Sequence, residues 1–207
     1  RDKLRDQGIK CLSLIFIDKV DNYIKEDGLV RRLFAEEYAK VYEKQYGETP
    51  TQQEINKVQG SYFAKTTTGD YTDSEYSMSL NKEIYDRILN EKEEILKFDD
   101  PIEFIFSHSA LGVGWDNPNV FNIATLNHSY SEIKKRQEIG RGLRICVNQD
   151  GQRVYDKEDV EEGEELNLLT VVPNETYESF VSQYQEQIKE SFGTADAGAE
   201  TRHTHKG

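Results

Sequence analysis

The sequence has few of the residues that mark a secreted, disulfide-stabilised or membrane-spanning protein. Its 207 residues include two cysteines, four prolines and one tryptophan, and no apolar run approaches the ~18 residues that a membrane helix needs. The first residues also lack the charged and then apolar pattern of a signal peptide. Cys11 and Cys146 lie in apolar segments of strand length, which favours buried free thiols over a disulfide or a metal site. We expect a cytoplasmic domain that contacts no membrane and binds no metal through its own residues.

Positive charge is also scarce, but it is unevenly placed. The net charge of -13 argues against a nucleic-acid binder of the simple basic kind, because neutralising phosphates needs clustered Lys and Arg. Residues 131–153 nevertheless carry six basic and three acidic side chains, whereas residues 154–166 carry one basic and seven acidic ones. A local basic segment therefore survives inside an acidic chain.

Short apolar runs alternate along the chain with segments of helical periodicity. Four runs predict strands: Lys10 to Asp18, Ile102 to Phe106, Asn119 to Leu126 and Asn167 to Val172. Helical spacing occupies residues 29–47, 80–98, 131–143, with Ser131 as its cap, and 175–192. This alternation predicts an α/β fold with a mostly parallel central sheet covered by helices on both faces.

Three further segments fit the alternation less well. Residues 48–79 are polar and too long for an ordinary connection, so they predict an insertion that is partly mobile. Residues 144–156 carry an Asp-Gly turn signal at Asp150 between two strand-like runs and predict a β-hairpin. After residue 192 the small and polar residues 193–207 predict a flexible tail.

The segment SHSALGVGWDNPNV, from Ser107 to Val120, leaves the carboxyl end of a predicted central strand. In open parallel sheets, ligands bind in the crevice outside these ends. Gly112 and Gly114 would allow close backbone approach, and Asp116 could accept a hydrogen bond from a ribose hydroxyl. The alternative is structural: Trp115 would be a buried anchor, and Asp116-Asn117-Pro118 a turn.

The segment QEIGRGLR, from Gln137 to Arg144, places two arginines three residues apart at the end of a predicted helix. On a helix, the side chains of Arg141 and Arg144 would project from nearly the same side, with Gln137 one turn earlier. Paired guanidinium groups suit the charge of a phosphoryl group in transfer. The alternative is two surface arginines that pair with Glu132 or Glu138. Gly140 and Gly142 count against it, since two mid-helix glycines suggest close backbone approach or a helix that ends at a functional edge.

Together, ALGVGWDNPNV and QEIGRGLR resemble motifs V and VI of superfamily 2 helicases, in the form found in the Res subunits of type III restriction enzymes. SLIFID is similar to the strand that carries motif IV, and the resemblance extends from about Lys10 to Phe192. It implies the second RecA-like domain of an ATP-driven DNA motor over residues 1–192, a three-layer sandwich with a helical insertion and a C-terminal hairpin and helix. The intact protein would be an ATP-dependent type III site-specific deoxyribonuclease.

The resemblance also implies roles for individual residues. Arg141 and Arg144 would be catalytic arginine fingers, ATP would be contacted by Gly114, Asp116, Gln137, Arg141 and Arg144, and the DNA backbone by Ser107, His108 and Ser109. Many superfamily 2 motors have threonine where His108 stands, so a packed or loop-bracing histidine is the alternative for that position.

Half of an ATP site is missing from the sequence. No Gly-x-x-x-x-Gly-Lys-Ser/Thr phosphate loop occurs, nor an Asp-Glu magnesium motif after an apolar strand. The family places these on a preceding RecA-like domain, with a nuclease domain downstream and a methyltransferase (Mod) subunit as partner. We therefore expect a middle portion of a longer chain, which uses ATP and Mg²⁺ only in the intact protein and hydrolyses nothing alone.

Two other functions remain open from the sequence. The chain could be the second motor domain of another superfamily 2 repair or remodelling translocase. It could also be a non-catalytic binding or assembly module, in which Arg141 and Arg144 hold a protein carboxylate instead of ATP.

Overall fold

The computed structural model describes residues 2–63, 88, 90–108, 117–129, 131–157, 165–192 and 204–205. The helices within these ranges are α1 (Asp2–Asp6), α2 (Asp21–Ile24), α3 (Leu29–Tyr46), α4 (Gln52–Lys57), α5 (Glu132–Ile139) and α6 (Glu175–Phe192). The strands are β1 (Leu12–Phe16), β2 (Gln59–Tyr62), β3 (Phe104–Ser107), β4 (Val120–Thr125), β5 (Leu168–Val172) and β6 (Thr204–His205). None of the described helices is both long and apolar enough to cross a membrane.

The strands form one sheet in the order β2-β3-β1-β4-β5-β6. The first five strands in this order are parallel, and β6 pairs antiparallel with β5. The four predicted strands are therefore confirmed as parallel neighbours, and the α/β, RecA-like fold class is confirmed with them. β3 and β4 lie on either side of β1, so the segments that follow them leave the sheet at the same carboxyl edge.

The core lies mainly on the face of the sheet that α5 and α6 cover. Leu12, Leu14 and Phe16 alternate along β1 and are fully buried. They pack with Ile139 of α5 and Tyr177 of α6 in the largest apolar cluster. Burying such side chains stabilises the fold by ~1.5–3 kcal/mol each. On the other face, α2 and α3 cover Ile17 and Phe106 in a smaller cluster.

Residues 48–63 contain regular structure that the sequence analysis did not predict. Thr51 caps α4 with a capping box, in which the Glu54 amide donates to Thr51 Oγ1 and the Thr51 amide donates to Glu54 Oε2. β2 follows and pairs with β3 at the edge of the sheet. The remainder of the predicted insertion, residues 64–79, lies outside the described residues.

The predicted hairpin at residues 144–156 forms its turn and a short backbone pairing, but no extended strands. Gly151 has φ 74°, as a turn glycine requires, and a single antiparallel bridge joins Val147 to Arg153. The Val154 amide donates to the Cys146 oxygen and the Asn148 amide to the Gln152 oxygen, both at 2.9 Å. Side-chain amides add to this short pairing. Asn119 donates to the Val147 oxygen and accepts from its amide, while Asn167 donates to the Val154 oxygen and accepts from the Cys146 amide.

Two other predicted segments are only partly described. Of the helix predicted at residues 80–98, Ile88 and Asn90 are helical, and Glu94–Leu96 forms a separate 3₁₀ turn. Of the predicted tail, only Thr204 and His205 are described, and they form β6. Residues 91–98 are described and contain no α-helix, so the predicted helix is wrong over that part. Residues 80–87 and 89, and the rest of the tail, lie outside the described ranges.

Candidate functional site

The helix that carries the QEIGRGLR segment begins where the sequence predicts. The hydroxyl of Ser131 accepts a hydrogen bond from the Lys134 amide at 3.3 Å and caps α5, and Glu132 lies in the first turn, where a negative charge favours a helix. The helix ends at Ile139 and continues as a 3₁₀ turn over Gly140–Gly142. The helix predicted over residues 131–143 is therefore confirmed as far as Ile139 and wrong beyond it, because the two glycines are poor helix formers and the chain tightens at them.

Gly142 fixes the position of this turn. A Cβ atom at Gly142 would lie 2.3 Å from Cδ1 and 2.9 Å from Cδ2 of Leu169, a side chain that is buried in the core. No atom lies within 4 Å of a Cβ built at Gly140. Only Gly142 therefore shows the close backbone approach that the sequence suggested, and it holds the turn against β5.

The side chains of the two arginines lie in different environments. Arg141 lies within the turn and is half-buried, whereas Arg144 follows the turn and is exposed. Arg144 Nη1 donates to the carbonyl oxygen of Leu143 at 2.8 Å and to that of Gly140 at 3.4 Å. Gln137, on the last turn of α5, is exposed. The three predicted ATP contacts in this segment are thus close together in the chain, but they are not on one helical stripe.

Glu138 does not act as a surface partner for these arginines. It is fully buried, and its carboxylate accepts hydrogen bonds from the Tyr177 hydroxyl and from Asn127 Nδ2, the latter at 3.2 Å. Lys134 Nζ lies 3.8 Å from the same carboxylate. Burial raises the pKa of Glu138, although these partners act in the opposite direction.

Arg144 lines a cleft of about 780 Å³. Lys92, Lys97 and Arg153 also line it, opposed by Glu93 and Asp150. Pro118, at the exit of the Ser107 to Val120 loop, contributes to the same cleft. The exit of one predicted motif and the end of the other therefore share one basic cleft, in which guanidinium and ammonium groups could bind a phosphate.

Two side chains link the backbone segments that form the walls of this basic cleft. Gln149, which is exposed, donates to the Leu96 oxygen and accepts from the Phe98 amide, both at 2.9 Å. The ammonium of Lys10, which is only 5% exposed, donates to the Asp100 oxygen at 2.6 Å and to the Lys97 oxygen at 3.1 Å. The backbone of the cleft is therefore held in place, while the basic side chains of Lys92, Lys97 and Arg144 that line it are exposed.

The predicted DNA contacts lie at the other end of the sheet. Ser107 is the last residue of β3, is fully buried and pairs in register with Phe16 and Tyr62. His108, the next residue, is exposed. Ser109 lies outside the described residues. Of the described pair, His108 is the one whose side chain is open to a ligand.

The centre of the predicted motif V loop cannot be placed. Gly112, Gly114, Trp115 and Asp116 lie outside the described residues. At the exit of the loop, the Asn117 side chain accepts from the Asn119 amide at 3.0 Å and donates to the Lys92 oxygen at 3.4 Å. Asn117 thus closes a turn, as the structural alternative for this segment proposed.

The sequence analysis missed the buried polar partners of α5. Asn127 and Tyr177 read as a loop residue and a helix-stripe residue, and nothing in their spacing shows that they meet Glu138. The one available signal is that Lys135 lies one helical turn before Ile139 and Glu138 one turn after Lys135, so both polar residues project near the side that faces the core. Across the described ranges, no group of three or more His, Cys, Asp or Glu side chains could hold a metal ion.

Comparison with known proteins identifies relatives of one kind. No protein-family model matches the chain. The Res subunits of the type III restriction-modification enzymes EcoPI from Escherichia phage P1 and EcoP15I from Escherichia coli are each 38% identical to it, over 162 and 164 residues. The StyLTI Res subunit from Salmonella typhimurium is 33% identical over 173 residues.

These matches cover 72% of this chain but 16% to 17% of each relative, so the chain spans about one sixth of their length. The matched share includes most of the chain, and the parallel sheet agrees with the RecA-like fold expected of such a segment. The chain is therefore similar, over most of its length, to one segment of the Res subunits of type III restriction-modification enzymes, which is consistent with a Res-like helicase domain.

Proposed function

We propose that the chain is the second RecA-like motor domain of an ATP-dependent DNA translocase, within the Res subunit of a type III restriction endonuclease. Its role is to supply charge to ATP from one side of an interdomain cleft and to contact the DNA backbone from another edge. The preceding RecA-like domain, with its phosphate loop and Mg²⁺ ligands, supplies the rest of the ATP site. A nuclease domain and a methyltransferase (Mod) subunit complete the enzyme.

One observation carries this proposal: the fixed 3₁₀ turn that carries Arg141 and leads directly to Arg144, which lines the basic cleft. The contact between Gly142 and Leu169 leaves no space for a side chain at that position. A turn held against the core in this way keeps the backbone that carries Arg141 at a constant position. A fixed backbone supports electrostatic stabilisation of a transferring phosphoryl group, because it limits the reorganisation needed during the reaction.

The proposed ATP-facing residues have separate roles. Arg141 and Arg144 bind the γ-phosphate oxygens as the cleft closes, and Gln137 orients the nucleotide or the attacking water beside them. Arg144 now donates to Leu143 and Gly140, so it must turn outward to reach a phosphate. Gly114 and Asp116 complete the nucleotide side. Mg²⁺ would neutralise phosphate charge and is held by the preceding domain.

The DNA-facing residues lie at the carboxyl edge of β3. His108 is exposed there and is positioned to contact the backbone directly. Ser107 is buried and supports the strand end, while Ser109 extends the contact. The separation between this edge and the basic cleft gives the domain distinct DNA and nucleotide surfaces, and motion between them would couple ATP turnover to movement along DNA.

The test uses the full-length Res subunit assembled with its Mod partner, DNA and ATP. Arg141→Ala and Arg144→Ala are each expected to lower DNA-stimulated ATP turnover by ~10³ to 10⁵, the usual contribution of an arginine finger. ATP binding should change much less, because the preceding domain holds the phosphates in the ground state. Lysine at either position should rescue poorly, since a point charge does not reproduce the bidentate fork.

Arg136→Ala is the matched control. Arg136 lies on α5, before the turn that carries Arg141, and is exposed where it donates to Gln187 at 2.7 Å and lies 5.0 Å from the Tyr184 ring. Its loss should leave turnover near wild type. Turnover within about twofold of wild type in Arg144→Ala would reject the finger assignment for that residue.

A further inference from the structure

A buried polar cluster joins α5 to α6 behind the 3₁₀ turn. Glu138 and Tyr177 are both fully buried, and the Tyr177 hydroxyl donates to Glu138 Oε2. Asn127, which is 2% exposed, donates to the other carboxylate oxygen. Asn174 in turn donates to the Asn127 carbonyl oxygen at 2.9 Å. The carboxylate on α5 is therefore tied to α6 and to the loop that follows β4.

Lys135 makes a second connection one turn earlier on α5. It is 7% exposed, its ammonium donates to the Thr176 carbonyl oxygen, and it lies 5.2 Å from the Tyr177 ring and 5.5 Å from the Phe180 ring. Two side chains from successive turns of α5 thus contact the same end of α6. Two such contacts fix the rotation of a short helix about its own axis, which a single contact would leave open.

These contacts bracket Arg141. Glu138 lies three residues before it, at the last turn of α5, and Gly142 lies immediately after it, against Leu169. A change in the rotation of α5 would therefore be passed directly to Arg141. Gly142 alone could act as a pivot, whereas the two anchors together define both the height and the direction of the turn.

The buried hydrogen bonds of Glu138 suit the orientation of α5 better than the stability of the fold. An apolar pair of the same size would pack here without the cost of removing a carboxylate from water. The same loss of hydration raises the pKa of Glu138. Hydrogen bonds to a carboxylate are directional, and charged groups roughly double their strength. A buried, hydrogen-bonded carboxylate thus gives a single geometry where an apolar contact would allow several.

We propose that Tyr177 and Glu138 form a positioning pair that holds Arg141 in its reactive orientation for ATP hydrolysis. Neither residue touches the nucleotide, and both act through the rotation of α5 and the turn that follows it. This inference rests on the proposed function of Arg141.

The test removes the Tyr177 hydroxyl while keeping its ring, in the full-length Res subunit assembled with Mod and DNA. Tyr177→Phe is expected to lower kcat for ATP by about tenfold to a hundredfold, the effect of a misplacement of ~1 Å, with KM for ATP little changed. The matched control is Tyr184→Phe, which removes a hydroxyl from the same helix two turns further along. Its kcat should stay within about twofold of wild type.

A double-mutant cycle separates positioning from general stability. Single-turnover hydrolysis of radiolabelled ATP is measured for Arg141→Ala with and without Tyr177→Phe. If Tyr177 acts through Arg141, its substitution has no further effect once that guanidinium is absent. If Tyr177→Phe lowers the rate by the same factor in both backgrounds, or raises KM at constant kcat, the positioning pair is rejected.

The cycle also distinguishes the two proposals. Wild-type turnover in Arg141→Ala would reject the arginine-finger function itself, whatever Tyr177 does. A large loss in Arg141→Ala with no loss in Tyr177→Phe would reject the positioning pair and leave the finger standing. Should Tyr177→Phe not fold, Glu138→Gln, which keeps the size and one acceptor oxygen, is measured in the same cycle and decides by the same criteria.

Discussion

Replacing each of the two turn glycines with alanine should have opposite effects on stability. At Gly142, the new Cβ would lie 2.3 Å from Leu169 Cδ1 and 3.1 Å from Cγ, so the whole leucine side chain would have to move. Leu169 is 1% exposed and packs within the main apolar cluster. Overpacking of this kind costs ~1–3 kcal/mol. Reduced entropy of the unfolded chain offsets ~0.4–1 kcal/mol of that, which leaves a net loss centred near 1 kcal/mol.

At Gly140, alanine would reduce the entropy of the unfolded chain without any overpacking, so its effect on stability should be favourable. The backbone there is helical, with φ -58° and ψ -16°, and a Cβ would meet no atom within 4 Å. Gly140→Ala should therefore raise the free energy of unfolding by ~0.4–1 kcal/mol. Both residues lie in the same three-residue turn, so each variant controls for the other.

The assay is urea unfolding of the 207-residue chain, followed by circular dichroism. The midpoints should move in opposite directions at an unchanged m-value, because neither substitution alters the surface exposed on unfolding. Equal stability of Gly142→Ala and Gly140→Ala would show that the turn is not held against β5, because the two variants share the entropy gain and differ in the contact with Leu169. Our account of how Arg141 and Arg144 are presented would then be wrong.

Two further predictions concern the isolated chain and pH. The purified chain should show no ATP turnover above background, because its sequence contains no phosphate loop; turnover that persists through repeated purification would contradict the two-domain arrangement. Burial raises the folded-state pKa of Glu138 above its ordinary value of 4.5, so between these two pKa values the folded state holds more protons than the unfolded state, and this contribution to stability falls as pH rises. The stability of Glu138→Gln relative to wild type should therefore increase with pH across that window, and a difference in unfolding free energy that does not vary with pH from 4 upward would refute the argument.

The sheet could be predicted from the sequence because its central strands are apolar enough to be recognised one at a time. β1, β3, β4 and β5 each combine short length with continuous apolar residues, and helices between parallel strands limit the possible topologies. β2 was not predicted because it has no continuous apolar run. Its sequence, Gln59–Tyr62, contains a glycine and two polar residues, and it is a strand only because β3 offers it an edge.

The site was less accessible to prediction than the fold. The arginines, their glycines and the cap at Ser131 are visible in the sequence because each has a local signature. The end of α5 was misplaced, although Gly140 and Gly142 are visible in the sequence, and the contact that holds the turn joins Gly142 to Leu169, 27 positions away. The contact between Glu138 and Tyr177 spans 39 positions and joins two residues that are individually unremarkable. Contacts of this kind depend on tertiary packing and leave no trace in local periodicity.

β1 lies between β3 and β4, so the sheet would fall into two parts if β1 were lost. β3 and β4 both pair with β1, in the registers Ile15↔Phe106 and Ile15↔Ala124, and neither pairs with the other. The relative position of the ends of β3 and β4 is therefore set by one five-residue strand, β1. Loss of β2 would shorten the sheet by one edge strand. A proteolytic cut that released residues 1–16 would instead separate β2 and β3 from β4 and β5. The proposed DNA contacts after β3 would then be separated from the proposed nucleotide contacts after α5 in a single event.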